Sequence, residues 1–432
     1  MTMMTQMFRR MAIAGAAVFL LSACDLDLTN PNNPTEEEVI TDVEGVYALA
    51  VGMQGQFAQS IEDYVFPSAL VTDELGTRSA SLLSYQSLFT GQSFENTYDI
   101  VSSPYNNTYA IVKSANTLLT ASSQVGLGAN LQAGVRAVAK TFKAMALGMA
   151  AQSFEELPVN IAVGGADPRP REEVLDTVIA LLESARADIV DVPDTELTTI
   201  GTRILPTGFT LPMLRNTIDA MIARYSLQRG QYQDAIDAAT RVSATILPSL
   251  IFTAPERNPV ERVAVGLNYL GGTFNFVAAA EPGDQRPAFW LRTDLAPIAG
   301  NPGDSLSYNL RKYSTPNESF PLYLPDEMKL IRAEAQAQLG MLPLARGLIN
   351  EVRTQAASPV AEPVANLPAL LDVQLPDLDA ILRQIAYERR YELYLQGLRW
   401  DDVRRLPGQT APTFTFLPLP ARECTNNPFA DC

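Results

Sequence analysis

From Val101 to Ala121 the side chains Tyr105, Tyr109, Val112, Ala115 and Leu119 recur three and four residues apart, which lays them along one face of a helix. Val138, Phe142, Met145 and Met149 keep the same period between Arg136 and Ser153, and a further helical stretch, Glu172 to Ile189, follows the proline-rich loop Pro158–Pro170. Near the C-terminus Ile381, Leu382, Ile385, Tyr391 and Leu395 share another face, with Gly397 placed to stop that helix and Trp400 opening the next segment. The 78 residues from Pro248 to Pro325 read differently: they are rich in Pro, Gly, Asn and aromatics, and far longer than an ordinary connection. Loops of that length usually carry function.

Internal repetition organises these helices. Ala223, Gly230, Tyr232 and Ala235 return in type and spacing as Ala333, Gly340, Leu342 and Ala345. A small residue on a first helix lets a second pack close, and glycine at the turn adopts a backbone conformation other residues resist. The next alanine falls where the two helices cross. This is the tetratricopeptide pattern, and each unit ends near a proline, Pro248 and Pro359. The expected fold is mostly α: about four helix pairs, near 101–121, 136–189, 216–247 and 326–357, forming a scaffold, with a loop-rich region over 248–325 that carries small β elements.

At the N-terminus Arg9 and Arg10 precede an uncharged run, Met11 to Leu21, too short at eleven residues to span a bilayer. It reads as a signal peptide over residues 1–23. The segment Leu21-Ser22-Ala23-Cys24 has lipobox spacing, so Cys24 is the expected lipidation site and residue one of the mature chain. Residues 24–34, polar and punctuated by proline, form a tether, and 35–432 a single domain. Loss of the leader takes the formal charge from -16 to -18, which argues against nucleic acid or an anionic membrane surface as partner. Cys424 and Cys432 remain in a short tail, where an oxidising compartment favours a disulfide between them over two free thiols.

Glu388 to Arg405 crowds nine charged groups among large apolar side chains. Its order, Glu388-Arg389-Arg390, Glu392, Gly397, Arg399-Trp400 and Asp401, resembles the C-terminal signature of the SusD/RagB family of outer-membrane nutrient-binding lipoproteins. Asp326–Ala335 with Leu339-Gly340 is similar to that family's "Leu-Ile-Arg-Ala-Glu-Ala" repeat, and Leu417–Pro420 with Glu423 and Asn427-Pro428 to its terminal strand and turn. Gly283-Asp284-Gln285-Arg286 resembles a loop near the family's ligand face, and Lys312-Tyr313 its following strand. The helix near Tyr98–Tyr109 lacks the Trp with which the family often begins it. The resemblance implies a surface protein that captures oligosaccharide or peptide and passes it to a SusC-like TonB-dependent transporter in the outer membrane. A repeat-built lipoprotein of outer-membrane assembly is the alternative, and the 248–325 region favours capture. The charges of the block (Glu388, Arg389, Arg390, Glu392, Arg399, Asp401, with Trp400) read as structural pairs that lock the last helix onto the repeats.

Chemistry is constrained by the absence of histidine, which removes Ser-His and Cys-His nucleophile systems and His-rich zinc sites. No phosphate-binding glycine loop is present. Asp73 with Glu74, or Asp284 with Glu281, meets only the minimal requirement of a two-carboxylate glycosidase. No catalytic residue, cofactor or metal is therefore expected. Binding without turnover calls for aromatic platforms under sugar rings and polar groups on their hydroxyls. Trp290, in Phe289-Trp290-Leu291-Arg292, is the first candidate, with a strand core as its alternative role. Tyr64, Asp73, Glu74 and Arg78 resemble in position the family's early segment bordering the cleft, and Arg286 lies in the loop motif. Tyr269, Phe274 and Phe276 fit either a loop tip or a buried hairpin.

Overall fold

The structure, a computed structural model, describes residues 42–432 except Ser93, Val163 and residues 302–304. The expected signal peptide, Cys24 and the tether lie outside the described residues.

Helix α1 (Val43–Gln59) begins where the Asp42 side chain accepts the Glu44 amide at 3.0 Å, and α2 (Ile61–Val71) follows after one residue. Next come β1 (Leu75–Thr77), α3 (Leu83–Thr90), α4 (Asp99–Gln124), α5 (Ala129–Ser153), β2 (Glu156–Leu157), β3 (Arg169–Pro170), α6 (Arg171–Ile189) and α7 (Asp194–Ile204). Helices α8 (Leu211–Arg229) and α9 (Tyr232–Arg241) form one repeat; α12 (Pro325–Gln338) and α13 (Leu342–Arg353) form its counterpart. Between the repeats run β4 (Ser249–Leu250), a π-helical turn at Arg262–Gly266, β5 (Leu270–Thr273), α10 (Phe274–Ala278), α11 (Arg286–Trp290), β6 (Ile298–Ala299), β7 (Leu306–Tyr308) and β8 (Phe320–Pro321). The chain closes with α14 (Leu378–Glu392), α15 (Arg399–Arg405) and α16 (Ala421–Asn426).

The two repeats share one turn chemistry. Gly230 (φ 79°) and Gly340 (φ 78°) occupy the left-handed region. Behind them the Gln231 amide reaches back to Ser226 O, as the Met341 amide does to Gln336 O, both at 2.8 Å. The four repeat alanines are fully buried, so close helix approach is why the positions are small. The helices then stack in chain order: α4 on α5, α5 on α6, α6 on α8, α8 on α9, α9 on α12, and α12 on both α13 and α14. At the crossing of α5 with α8 a Cβ on Gly148 would overlap the Tyr225 ring.

Two expectations need correction. The segment 101–121 is a single helix, α4, not a pair; the helix packed against its other side is α1, which lies far upstream because β1 and α3 intervene. Gly397 does not stop α14, which ends at Glu392 with the Leu393 amide on Arg389 O. The chain then turns through Leu395 (φ 58°) and Gly397 (φ 73°), and Gly397 is needed because a Cβ there would sit 3.2 Å from Tyr64 O.

The region 248–325 contributes three strands to an antiparallel sheet of order β1-β5-β7-β6, with Gly76 opposite Gly271 and Gly272 opposite Tyr308. The main core runs from α1 through the stack to this sheet, and a smaller cluster, including Ala333, Ala345, Ile349, Ile381 and Ile385, joins α12 and α13 to α14.

Candidate functional site

The C-terminal block forms a lattice inside the protein. Arg389 grips Asp402 at 2.9 Å, both nearly sealed from solvent. Arg405 bonds Asp402 and Asp401 at 2.7 Å and also reaches Glu334 of α12, while Arg171 of α6 meets Asp401 at 2.5 Å. Glu388 is held by Arg286 at 2.6 Å and by Arg353 at 3.1 Å. Arg399 is buried against Ala386 O. Arg390 lies half-buried over the Phe276 and Tyr391 rings. These contacts tie α14 and α15 to α6, α12, α13 and the irregular region.

Most of the residues proposed from sequence as ligand contacts are in the core. Trp290 is 1% exposed, and its Nε1 donates to Tyr391 O at 2.9 Å. An indole so enclosed offers no face to a sugar, so the platform role is corrected to a core role. Tyr64 is sealed, sharing a 3.0 Å hydrogen bond with Thr108. Arg78 is buried with its Nε on Ser307 at 3.2 Å, and Arg286 is consumed by Asp284 and Glu388. Glu74 is enclosed, and burial pushes its carboxyl up to about 8 against the opposing pull of Arg399 and Arg390. These four cannot touch a ligand in this arrangement. Asp73 alone of the set stays half-exposed, at φ 62°. With Glu74 and Asp284 both buried, neither carboxylate pair presents an accessible acid and nucleophile. Phe276 is core, whereas Phe274 is exposed beside Tyr308.

A cavity whose lining includes none of the ligand contacts proposed from sequence is walled by the start of α4, the loop between β2 and β3, and the C-terminal tail, and has a volume of 640 Å³. Asn96, Asn106, Asn160 and Asn426 line it together with Tyr105 and Tyr109, and among the described residues none of its lining comes from 248–325. Tyr105 and Tyr109 are one helical turn apart, with ring centroids 4.7 Å from each other. The Tyr109 hydroxyl donates to Pro158 O at 2.8 Å, fixing the loop to the helix. Asn160 Oδ1 accepts from Asn116 at 2.9 Å and from Lys143 at 3.4 Å. Gly165 (φ 107°) lets the loop close on the tail, because a Cβ there would collide with Asn427. Asn427 in turn donates to Ala166 O at 2.7 Å.

The lattice positions the third wall. Trp400 Nε1 donates to Phe414 O at 3.0 Å, Arg404 donates to Thr415 O at 2.8 Å and stacks on Phe416, and the Leu417 amide bonds Ser153 O at 2.7 Å. The tail then crosses Asn96, whose carbonyl accepts the Ala421 amide at 3.2 Å. A disulfide joins Cys424 to Cys432, closing a loop that contains Asn426 and Asn427. The usable sequence signal was the density of Asn and Tyr in 96–109 with the Asn pair at 426–427, but three distant segments must meet before it reads as a site.

Residues 312–427 match the profile of the SusD family. No curated protein matches the chain. Among solved structures, a SusD superfamily protein from Bacteroides fragilis aligns with TM-score 0.67 at 16% identity, over 90% of this chain and 98% of its own. A SusD-like carbohydrate binding protein from Bacteroides vulgatus aligns with TM-score 0.65 at 13% identity, over 84% and 83%. NanU of B. fragilis gives 0.63 at 14%, over 93% and 98%. Residues 312–427 thus match the SusD family, and the described body shares its fold with solved SusD superfamily proteins.

Proposed function

We propose that this protein captures a glycan at the outer surface of the outer membrane and hands it, without chemistry, to a SusC-like TonB-dependent barrel. The observation that carries the reading is the amide-lined cavity. Its 640 Å³ falls within the range of about 300–1,000 Å³ usual for small-molecule sites. Asparagine offers one acceptor and two donors on a planar head, which suits neighbouring hydroxyls on a sugar ring. Tyr109, backed by the buried Tyr105, supplies apolar ring surface for C–H faces. Among the described residues only Arg422 and Glu423 bring charge to the lining, a pattern suited to a neutral ligand. The fold shared with a carbohydrate binding protein is consistent with that choice. The lipid on Cys24 and the tether over 24–34 belong to the same proposal, as the means of holding the body at the membrane.

The test is a glycan and peptide array probed with the full chain in detergent, alongside Asn106→Ala and Asn160→Ala. Retention on glycans that both variants weaken about tenfold supports the cavity, since one lost hydrogen bond is worth about 1 kcal/mol and an orphaned partner more. Retention on peptides alone, or glycan binding indifferent to both changes, overturns it.

A further inference from the structure

The charge lattice is unbalanced around the first turn of α12 and the end of α14. Asp326 in the first turn of α12, Glu362 in the loop after α13 and Glu392 at the end of α14 each bring a carboxylate oxygen within 4.8 Å of the other two. All three are buried, with Glu392 completely so. The cations near them are already engaged. Lys329 pairs with Asp326 at 2.5 Å. Arg286 sits 3.7 Å from Glu392 but is committed to Glu388 at 2.6 Å and Asp284 at 2.7 Å. Arg353 is divided between Glu388 and Glu281. Three cations thus face six carboxylates.

A second observation points to what is missing. Neither oxygen of Glu392 accepts a hydrogen bond, nor does Asp326 Oδ2, among the described residues. Buried carboxylate oxygens without a donor are costly, and each such group takes either a positive partner or a proton. Glu362, by contrast, is held in place: its Oε1 accepts from Ser358 at 2.5 Å and its Oε2 from the Asp326 amide at 3.2 Å. The donor set is oxygen only, which selects a hard cation over a thiolate- or imidazole-seeking one. Two oxygens bound to one ion at about 2.4 Å lie at most about 4.8 Å apart, so all three carboxylates are close enough to reach a single calcium. Glu392, with both oxygens free of hydrogen bonds, can bind through both, which also favours calcium over magnesium, an ion that requires a stricter octahedron and keeps its waters.

We propose that Asp326, Glu362 and Glu392 form a buried divalent-cation site taken by calcium. The ion ties the last repeat pair, the loop after it and the C-terminal helix into one unit, and makes the stability of the lattice depend on external calcium.

The test uses the full chain in detergent, stripped with EDTA and then titrated with calcium chloride or magnesium chloride. Calorimetry and elemental analysis are expected to find one calcium per chain, with Tm raised by several degrees and magnesium giving a smaller rise. Glu362→Gln, which keeps an oxygen to accept the Asp326 amide of α12, is expected to abolish both the ion and the shift while keeping the helical circular dichroism. Glu62→Gln, an acid elsewhere, should bind as the parent does. The proposal is overturned if the stripped chain takes up no ion and melts alike in calcium and EDTA, or if Glu362→Gln still binds calcium. It is equally overturned if Glu392→Gln melts higher than the parent in EDTA and the parent ignores calcium, because the carboxylates then hold shared protons.

Discussion

The Trp290 indole is surrounded by Phe289, Tyr313 and Tyr394, and its single donor is used on Tyr391 O. Trp290→Phe removes that bond and leaves the carbonyl buried without its donor, and the smaller ring leaves a void. The expected cost is about 2–4 kcal/mol in urea unfolding, with glycan affinity unchanged; loss of affinity at unchanged stability would return the ring to the ligand. Glu74 gives a second residue-level expectation. Burial raises its folded pKa from 4.5 to about 8, so its contribution to stability is fully present below 4.5 and is lost as pH rises toward 8. Glu74→Gln cannot ionise. Relative to the parent, the variant should therefore gain on the order of 3 kcal/mol between pH 4.5 and 7. Unfolding curves at pH 5, 6 and 7 measure this, and a parent-to-variant difference that stays flat with pH would show that Glu74 is solvated.

At the scale of elements, the pairs within α14 and α15 act as clasps between helices. Arg389 and Asp402 are both enclosed, so removing Asp402 strands Arg389, and removing Arg389 leaves the buried Asp402 with Arg405 as its remaining cation. Arg389→Ala is expected to cost about 3–5 kcal/mol, whereas Arg389→Met with Asp402→Leu should recover most of that loss. Equal melting losses in the single and double variants would mean that the pair contributes more than its own charges. Arg390, stacked on Phe276 and Tyr391 at the edge, should cost less than Arg389 when changed to alanine. The repeats at 216–247 and 326–357 are legible in the sequence because alanine at a crossing and glycine at φ near +80° are constraints carried by single positions. The pairing of α4 with α1 is not, since it depends on which distant face α4 covers. Trp290 is misleading for a related reason: α11 is only five residues long, too short for periodicity to separate an inward ring from an outward one. The cavity is illegible because its walls come from 96–109, 158–166 and 420–427 and are brought together by tertiary contacts such as Trp400 to Phe414.

For the molecule as a whole, among the described residues no helix is long and apolar enough to cross a membrane, and the full chain carries a formal charge of -16. Such a body is not drawn to an anionic lipid surface, and the function proposed above assigns attachment to Cys24, which stands at lipobox spacing. Cys24→Ser should move the protein from the membrane to the soluble fraction, and retention through carbonate washing would exclude the lipid as anchor. Capture alone leaves a ligand outside the cell. In the proposed function a tethered binder is useful only if it stays near a pore, and a lipid on Cys24 would supply that proximity by keeping the effective concentration of body at barrel high whenever the two part. Native outer membranes solubilised in detergent should therefore yield a plugged TonB-dependent barrel with this chain, and Cys24→Ser should reduce that recovery even though the body is unchanged. Recovery of barrel-assembly components instead would replace capture with an assembly scaffold, because the same stack of helix pairs also serves that purpose.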